Sequence, residues 1–384
     1  MSDVVVYDAI HGYMHFEQEL VPLLNSPSFQ RLKQIKQLAA VHHVFPCATH
    51  TRFEHSLGVG HLAGRFAHTL SKRHPELDVP YLAIKLAGMA HDLGHGTLSH
   101  AFDRYLEVRG SPHSSHEQRG VAFLQNVVSG LDPTLVDHAC HILLPSGRRR
   151  FPLYVYQIIH NDEGGVDADR LDYLRRDART IGLPQQDVDV ERFLEYSRVV
   201  HGRLCFDVDR IPLSLHRLVM ARHEMHALVY QHRVVRAIEH MYTDVLDCLD
   251  LDVHDLGFLS RCTDALFTSA SVSALARDDG ARSKAEGLLH RIAARDLYRC
   301  ILDVPGSASE ELCTRASGKG YVVDVVRIGF ETHPLHACDF VDRNGALVTL
   351  CPDQCSGIVV TKPLDVRVRA YAKRTRGETG WWAV

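Results

Sequence analysis

A helical run beginning near Val79 places Leu82, Leu86 and Met89 or Ala90 on one face and stops at His91-Asp92-Leu93-Gly94-His95-Gly96. An adjacent His and Asp near a helix end offer one neutral nitrogen donor and one anionic oxygen donor, while Gly94 and Gly96 leave space for a substrate to approach. Alone, such a pair is equally at home in a cap or a surface hydrogen bond. Three distant segments change its meaning. Thr51-Arg52-Phe53-Glu54-His55-Ser56 brings a histidine on an earlier helix, Ser115-His116-Glu117 brings another, and Gly165 to Tyr173 brings the carboxylates Asp167, Asp169 and Asp172. Two His and two Asp from separate helices make a mixed nitrogen and oxygen metal site with room for water or phosphate. Spacing does not choose among the three late aspartates.

The chain around these segments reads as mainly α. A helix is predicted over Asn25–Ala39, capped by Ser26 or Asn25 with Pro27 in its first turn, and a second over about Arg52 to Lys72, whose Gly60 and Gly64 permit close helix contact. Thr97 is expected to start a helix through Tyr105, followed by His116–Val128, Pro133–Leu144, Asp167–Ala178 and one long helix over Leu213–Leu249. Near residue 305 the pattern changes to short β-branched runs at Tyr321–Ile328, Cys338–Phe340, Ala346–Leu350, Ile358–Val360 and Val366–Tyr371. The expected organisation is a helical catalytic body over residues 1–304 and a small α+β or β-rich lobe over 305–384.

Composition narrows the partners. The 43 Lys and Arg against 47 Asp and Glu give a formal charge of -4, which excludes the global basicity of a nucleic-acid coat but not a local basic pocket. Arg148, Arg149 and Arg150 form a small cationic run, for which a solvated loop is the simpler reading than a single-stranded nucleic-acid contact. The acidic and histidine-bearing first twenty residues do not fit a signal peptide, and no apolar stretch is long enough to span a membrane. The ten scattered cysteines point to free thiols in an intracellular compartment, cytoplasm or nucleus in a eukaryote. Cys351 and Cys355 resemble half a zinc site with no second half at ligand spacing.

The ordered set Asp8-Ala9-Ile10-His11-Gly12, Phe29 to Leu38, Val44-Phe45-Pro46, Thr51 to Gly60, His91 to His100, Asp167 to Asp177, Leu183 into Phe193 and Tyr230-Gln231-His232-Arg233 resembles the HD-domain phosphohydrolases. More narrowly it resembles their deoxynucleoside-triphosphate triphosphohydrolases, with the HD domain over about residues 50–178. The sterile-alpha-motif domain of the animal member has no counterpart here. The resemblance implies His55, His91, Asp92 and Asp169 as ligands of a divalent transition metal (iron, manganese, zinc or nickel), with magnesium near the phosphates. It implies His100 as proton donor to the leaving oxygen, His116 and Asp103 organising it, and His95 on substrate phosphate. Arg52, Arg170 and Arg222 then match triphosphate contacts. Gln37 and Asp177 match the pair on the 3′ hydroxyl, Tyr173 lies beneath the sugar, and Leu38 and Tyr230 crowd the 2′ position against ribose.

The implied reaction is hydrolysis of deoxynucleoside triphosphates to deoxynucleosides and inorganic triphosphate. Another HD-type nucleotide phosphohydrolase is the nearest alternative; a nucleotide-sensing or single-stranded nucleic-acid-binding protein with little turnover is the alternative from another class. The resemblance also implies a homo-oligomer such as a tetramer, with effector contacts at Val5, Asn25, Gln30, Lys33, His232, Arg233 and Val234. Here the chain departs from the animal pattern. Asn25 stands for a guanine-reading aspartate and Lys33 for an arginine, and neither reproduces the paired hydrogen bonds of the residue it replaces. Activation, if any, is therefore expected to be less strict for guanine.

Overall fold

The long helix Arg52–Arg73 opens on a reciprocal cap, in which the Thr51 side chain accepts from the third residue of the helix and Glu54 reaches back to the Thr51 N–H. Its small residues decide what packs on it. A Cβ at Gly60 would meet Met89 Cγ at 2.3 Å, so the helix Tyr81–Ala90 lies against Arg52–Arg73 almost backbone to backbone. In this computed structural model, residues 3–126, 128–183, 187–306, 309–318, 320–329, 334–350 and 364–373 are described. Helices His100–Val108, His116–Asn126, Pro133–Leu143, Leu153–Ile159 and Ala168–Ile181 complete the surround of this pair. The protein is mainly α with a smaller strand-containing C-terminal region, and Leu57, Phe66, Leu86, Phe123, Ile158 and Leu174 share one continuous core. No helix among the described residues is long and apolar enough to cross a membrane.

Three predicted helices are interrupted, and each break serves the cavity. The Asn25–Ala39 run is a short helix Pro27–Gln30 and a 3-10 turn Arg31–Gln34, after which Ile35 is extended at φ -122 and ψ 112. The cause is pairing with the residues that lead into helix Arg52–Arg73, through an isolated bridge between Lys36 and Thr51. Arg52 N–H donates to the Ile35 carbonyl at 2.9 Å and Gln37 N–H to the His50 carbonyl at 3.0 Å. Thr97 does not begin the next helix. Its hydroxyl donates to Asp264 at 3.2 Å, Leu98 and Ser99 take positive φ of 55 and 52, and the helix starts at His100. The expected Leu213–Leu249 helix divides into Pro212–Met225, a π-turn His226–Tyr230 and Arg233–Leu246, with the His232 side chain capping the last.

Strands occur within the helical body that periodicity left unassigned. Val4–Asp8 pairs antiparallel with Gly12–Phe16, and Ser197–Val200 with Arg203–Asp207 across a turn at His201 and Gly202, both at positive φ. Phe206 pairs in parallel with Phe340, and Arg299–Pro305 pairs with Leu364–Ala372, which also pairs with Val322–Gly329. Strand pairing thus crosses residue 304. Ile358–Val360, Cys351 and Cys355 lie outside the described residues. The cysteines at 47, 140, 205, 248, 262, 300, 313 and 338 are free thiols.

Candidate active site

Helix Arg52–Arg73 contributes His55, the end of Tyr81–Ala90 leads into His91 and Asp92, and helix Ala168–Ile181 contributes Asp169. His55 Nε2 is 3.1 Å from Asp169 Oδ1 and 3.2 Å from His91 Nε2, so these three converge, and Asp92, its Oδ2 3.6 Å from His55 and paired with Arg52, stands at their edge. Each ring is fixed from behind: His55 Nδ1 bonds Asp172 Oδ2 at 2.7 Å and His91 Nδ1 bonds the Gly88 carbonyl at 2.8 Å. Both Nε2 atoms are therefore free to face the same point, the arrangement a metal requires of histidine ligands. Of the three late aspartates, Asp169 joins the cluster, Asp172 stands behind His55, and Asp167 caps its helix by accepting from Arg170 N–H at 2.7 Å.

The cluster is short of positive charge. Burial disfavours charge on His55, yet its hydrogen bonds to Asp169 and Asp172 and the charges of Asp172 and Asp92 raise its pKa to about 10. Burial likewise works against the Asp169 carboxylate, but His55 and His91 hold it well below the usual carboxylate range. A divalent cation bound by neutral imidazoles would satisfy the same carboxylates, so the donor set fits a metal.

Beside it lies a second group. His95, His100, Asp103 and His116 bring ligand-type atoms within 4.8 Å of one another. The His95 and His116 rings stack at 3.9 Å, His116 Nδ1 bonds Asp103 Oδ2 at 2.7 Å, and Arg119 holds the other Asp103 oxygen at 2.5 Å. His100 Nδ1 is 3.7 Å from Asp103 with the side chain 67% exposed. His95 is fully buried, and neither ring nitrogen makes a well-aligned hydrogen bond, Nε2 lying 3.3 Å from Asp92 Oδ1. Burial, with Arg52 and His116 nearby, pushes its pKa well down. The glycines here do not make room for substrate, contrary to expectation. A Cβ at Gly94 would sit 2.0 Å from the His116 carbonyl and one at Gly96 2.6 Å from the Phe102 ring, so both are reserved for packing.

A cavity of about 700 Å³ opens over these groups. His55, His91, Asp92, Asp169, His100 and His116 line it, as do Arg52, Arg170, Arg222, Gln37, Leu38, Tyr173, Asp177 and Tyr230; His95 and Asp103 stand behind the wall. Arg52 Nε donates to Ser99 at 3.0 Å and its Nη1 pairs with Asp92, while Arg170 is held by Asp167 and, at 2.9 Å, Asp162. Arg222 Nη1 donates to the Gly329 carbonyl at 2.8 Å. Tyr230 donates to Asp177 Oδ2 and His50 Nε2 bonds Asp177 Oδ1, both at 2.7 Å. The sequence reading missed Arg104, His160, His226, Arg236 and Glu239 on this wall. Arg104 and His226 follow His100 and Arg222 at helical spacing of four, a signal that was present.

The candidate effector positions are less connected. Val5 and Asn25 are exposed, Gln30 donates to the Leu24 carbonyl at 2.6 Å, and Lys33 Nζ lies 4.5 Å from the centre of the Phe53 ring. His232 Nδ1 accepts from Val234 N–H at 3.3 Å, and Arg233 is exposed. Among the described residues, no bond joins the first four to the last three. Of the arginine run, Arg150 pairs with Asp137 and Arg149 stands 5.8 Å from the Tyr156 ring centre.

Residues 52–174 match the HD domain and residues 188–317 the HD-associated region. The Bos taurus deoxynucleoside triphosphate triphosphohydrolase SAMHD1 is 30% identical, over 98% of this chain and 76% of its own length. The chain belongs to the HD-domain deoxynucleoside triphosphate triphosphohydrolase family. The Dictyostelium discoideum SAMHD1 homolog is 32% identical over 85% of this chain, and the Homo sapiens SAMHD1 is 28% identical over 96%. This chain spans 65% of the Dictyostelium protein's length and 70% of the human one's.

Proposed function

We propose that the protein hydrolyses deoxynucleoside triphosphates at the α-phosphorus, releasing a deoxynucleoside and inorganic triphosphate. The observation that carries this reading is a single cavity lined by His55, His91, Asp92 and Asp169, by Arg52, Arg170 and Arg222, and by the Asp177–Tyr230 pair. When bound to His55, His91, Asp92 and Asp169, a divalent metal (iron, manganese, zinc or nickel) supplies Lewis-acid polarisation of phosphoryl oxygen and lowers the proton affinity of attacking water. Arg52, Arg170 and Arg222 bind and orient the triphosphate, the first two held in place by Asp92 and by Asp167 with Asp162. Magnesium beside the phosphates would share that charge. His100, the most exposed of its histidine group, delivers a proton to the leaving 5′ oxygen. Asp103, fixed by Arg119, orients His116 beside it; His95, which the resemblance puts on substrate phosphate, is fully buried and stacks on the His116 ring. Gln37 and Asp177 hold the 3′ hydroxyl over Tyr173, and Leu38 and Tyr230 close the 2′ corner.

The family resemblance supports a homo-oligomer such as a tetramer, with effector contacts at Val5, Asn25, Gln30, Lys33, His232, Arg233 and Val234. Incubation of metal-replete protein with each deoxynucleoside triphosphate, with and without nucleotide effectors, tests the reaction once products are separated. Deoxynucleoside and triphosphate are expected. A diphosphate or monophosphate product would favour a different HD-type phosphohydrolase, and binding without any product would favour a sensor.

A further inference from the structure

The N-terminal hairpin reaches the metal cluster through an unbroken buried chain of hydrogen bonds. At its turn, Asp8 Oδ1 accepts from the backbone N–H of Ile10 and of His11, each at 2.9 Å, which sets the path of the chain and aims the His11 ring inward. His11 Nε2 then lies 2.6 Å from Asp172 Oδ1, with side-chain exposures of 2% and 0%. The other Asp172 oxygen takes the His55 Nδ1 proton at 2.7 Å. Arg176 braces both ends: its Nε and Nη2 donate to Asp172 at 2.9 and 3.0 Å, and its Nη1 donates to Asp8 at 2.8 Å. The helix that carries His55 leaves a space for this carboxylate, since a Cβ at Gly58 would fall 1.9 Å from Asp172 Oδ1.

We propose that His11 is a positioning residue for His55, acting through Asp172; this rests on the metal reading above. A carboxylate has about four acceptor sites, and the two rings and the guanidinium fill all of them. Asp172 so held cannot turn without losing at least two bonds. His55 is thereby fixed with its proton on Nδ1 and its Nε2 lone pair toward His91 and Asp169. Without the His11 donor, one oxygen loses a partner in a site closed to water, and the carboxylate gains a reason to rotate away from His55. The hairpin Val4–Asp8 and Gly12–Phe16 is in this sense part of the metal site.

The test is Mn2+ titration of metal-free protein, reading free Mn2+ by electron paramagnetic resonance, for the native chain, His11→Phe and His11→Gln. Phenylalanine keeps the ring volume and removes the donor; glutamine supplies an amide N–H. His11→Phe is expected to bind Mn2+ about tenfold more weakly, the lower end of what loss of an outer partner costs a metal site. His11→Gln should recover most of that loss. Thermal melts of the metal-free forms identify folded protein, and if His11→Phe does not fold, His11→Gln against Asp172→Asn carries the comparison, the second being the weaker binder. Folded His11→Phe with native affinity would overturn the proposal, as would native protein that holds no Mn2+ at the His55 cluster. A native protein that turns over no nucleotide, yet whose Mn2+ affinity falls tenfold on His11→Phe, would overturn the proposed reaction and support this one.

Discussion

Two groups of histidines sit side by side at the cavity wall and are held in opposite ways. His55 and His91 each have one ring nitrogen locked to a fixed acceptor, Asp172 Oδ2 at 2.7 Å and the Gly88 carbonyl at 2.8 Å, leaving the other committed to a common point. In the neighbouring group only His116 is locked, by Asp103; His100 is largely exposed, and His95 stacks without a well-aligned hydrogen bond. A metal ligand gains from a single tautomer and a single direction, whereas a group that passes protons must be able to change state. On the proposed reaction, the contrast assigns the two tasks to different histidines.

The largest expected effect comes from breaking the locked group. Asp169→Asn keeps the shape of the side chain but removes an anionic donor, and turnover should fall by more than about 100-fold, beyond the usual cost of losing an outer partner, together with metal retention. Elemental analysis and initial rates on one folded preparation check both; normal values of each would reject Asp169 as a ligand.

Gly94→Ala should act on the other group. The added Cβ would press on the His116 carbonyl at 2.0 Å and on Gly120 N at 2.3 Å, so the helix bearing His116 must move. We expect a stability loss of about 3 kcal/mol, typical of severe overpacking, and a lower kcat with metal content retained. A melt, a metal assay and a rate profile suffice, and loss of metal with an unmoved kcat per bound metal would reverse the assignment.

The residues of both groups are legible in the sequence, whereas the way each ring is held is not. The helices bearing His55, His91 and Asp169 announce themselves by apolar spacing, and the order of the motifs, through the family resemblance, points to the cluster. What stayed hidden depends on contacts far along the chain. Ile35 has helical neighbours, and only the pairing with the segment before Arg52 makes it extended. Thr97 looks like a cap, but Asp264, more than 160 residues later, takes its hydroxyl. Gly94 reads as space for a ligand because the sequence does not show that His116 lies against it. The strand turn at His201-Gly202 carried a local signal in its glycine, whereas Arg104 and Glu239 meet, 3.8 Å apart, only once two helices cross.

Smaller effects concern the sugar and the effector. On the proposed placement of Leu38 and Tyr230 at the 2′ corner, deoxyadenosine triphosphate should react at least about tenfold more efficiently than adenosine triphosphate, the scale on which a pocket rejects one extra group. Leu38→Ala should narrow that ratio; equal efficiencies in the native protein would remove the claim. Smallest of all is the preference among effectors. Asn25 and Lys33 should leave guanine and other nucleoside triphosphates within about tenfold of one another as activators, or about 1.4 kcal/mol. Titrating each against fixed deoxyadenosine triphosphate, beside a no-effector control, gives the answer, and an absolute dependence on guanine would refute it.

The π-turn at His226–Tyr230 has a consequence for how this chain tolerates change in length. Four residues of an α-helix overshoot a full revolution by about 40°, so a file of residues spaced by four drifts around the cylinder. A wider turn undershoots, and Arg222, His226 and Tyr230, spaced by four, all face the cavity because one segment offsets the other. Removing a single residue there would not merely shorten a loop. It would tighten the π-turn to α spacing and move Tyr230 around the cylinder relative to Arg222, while the extended His232 keeps helix Arg233–Leu246 out of that phase.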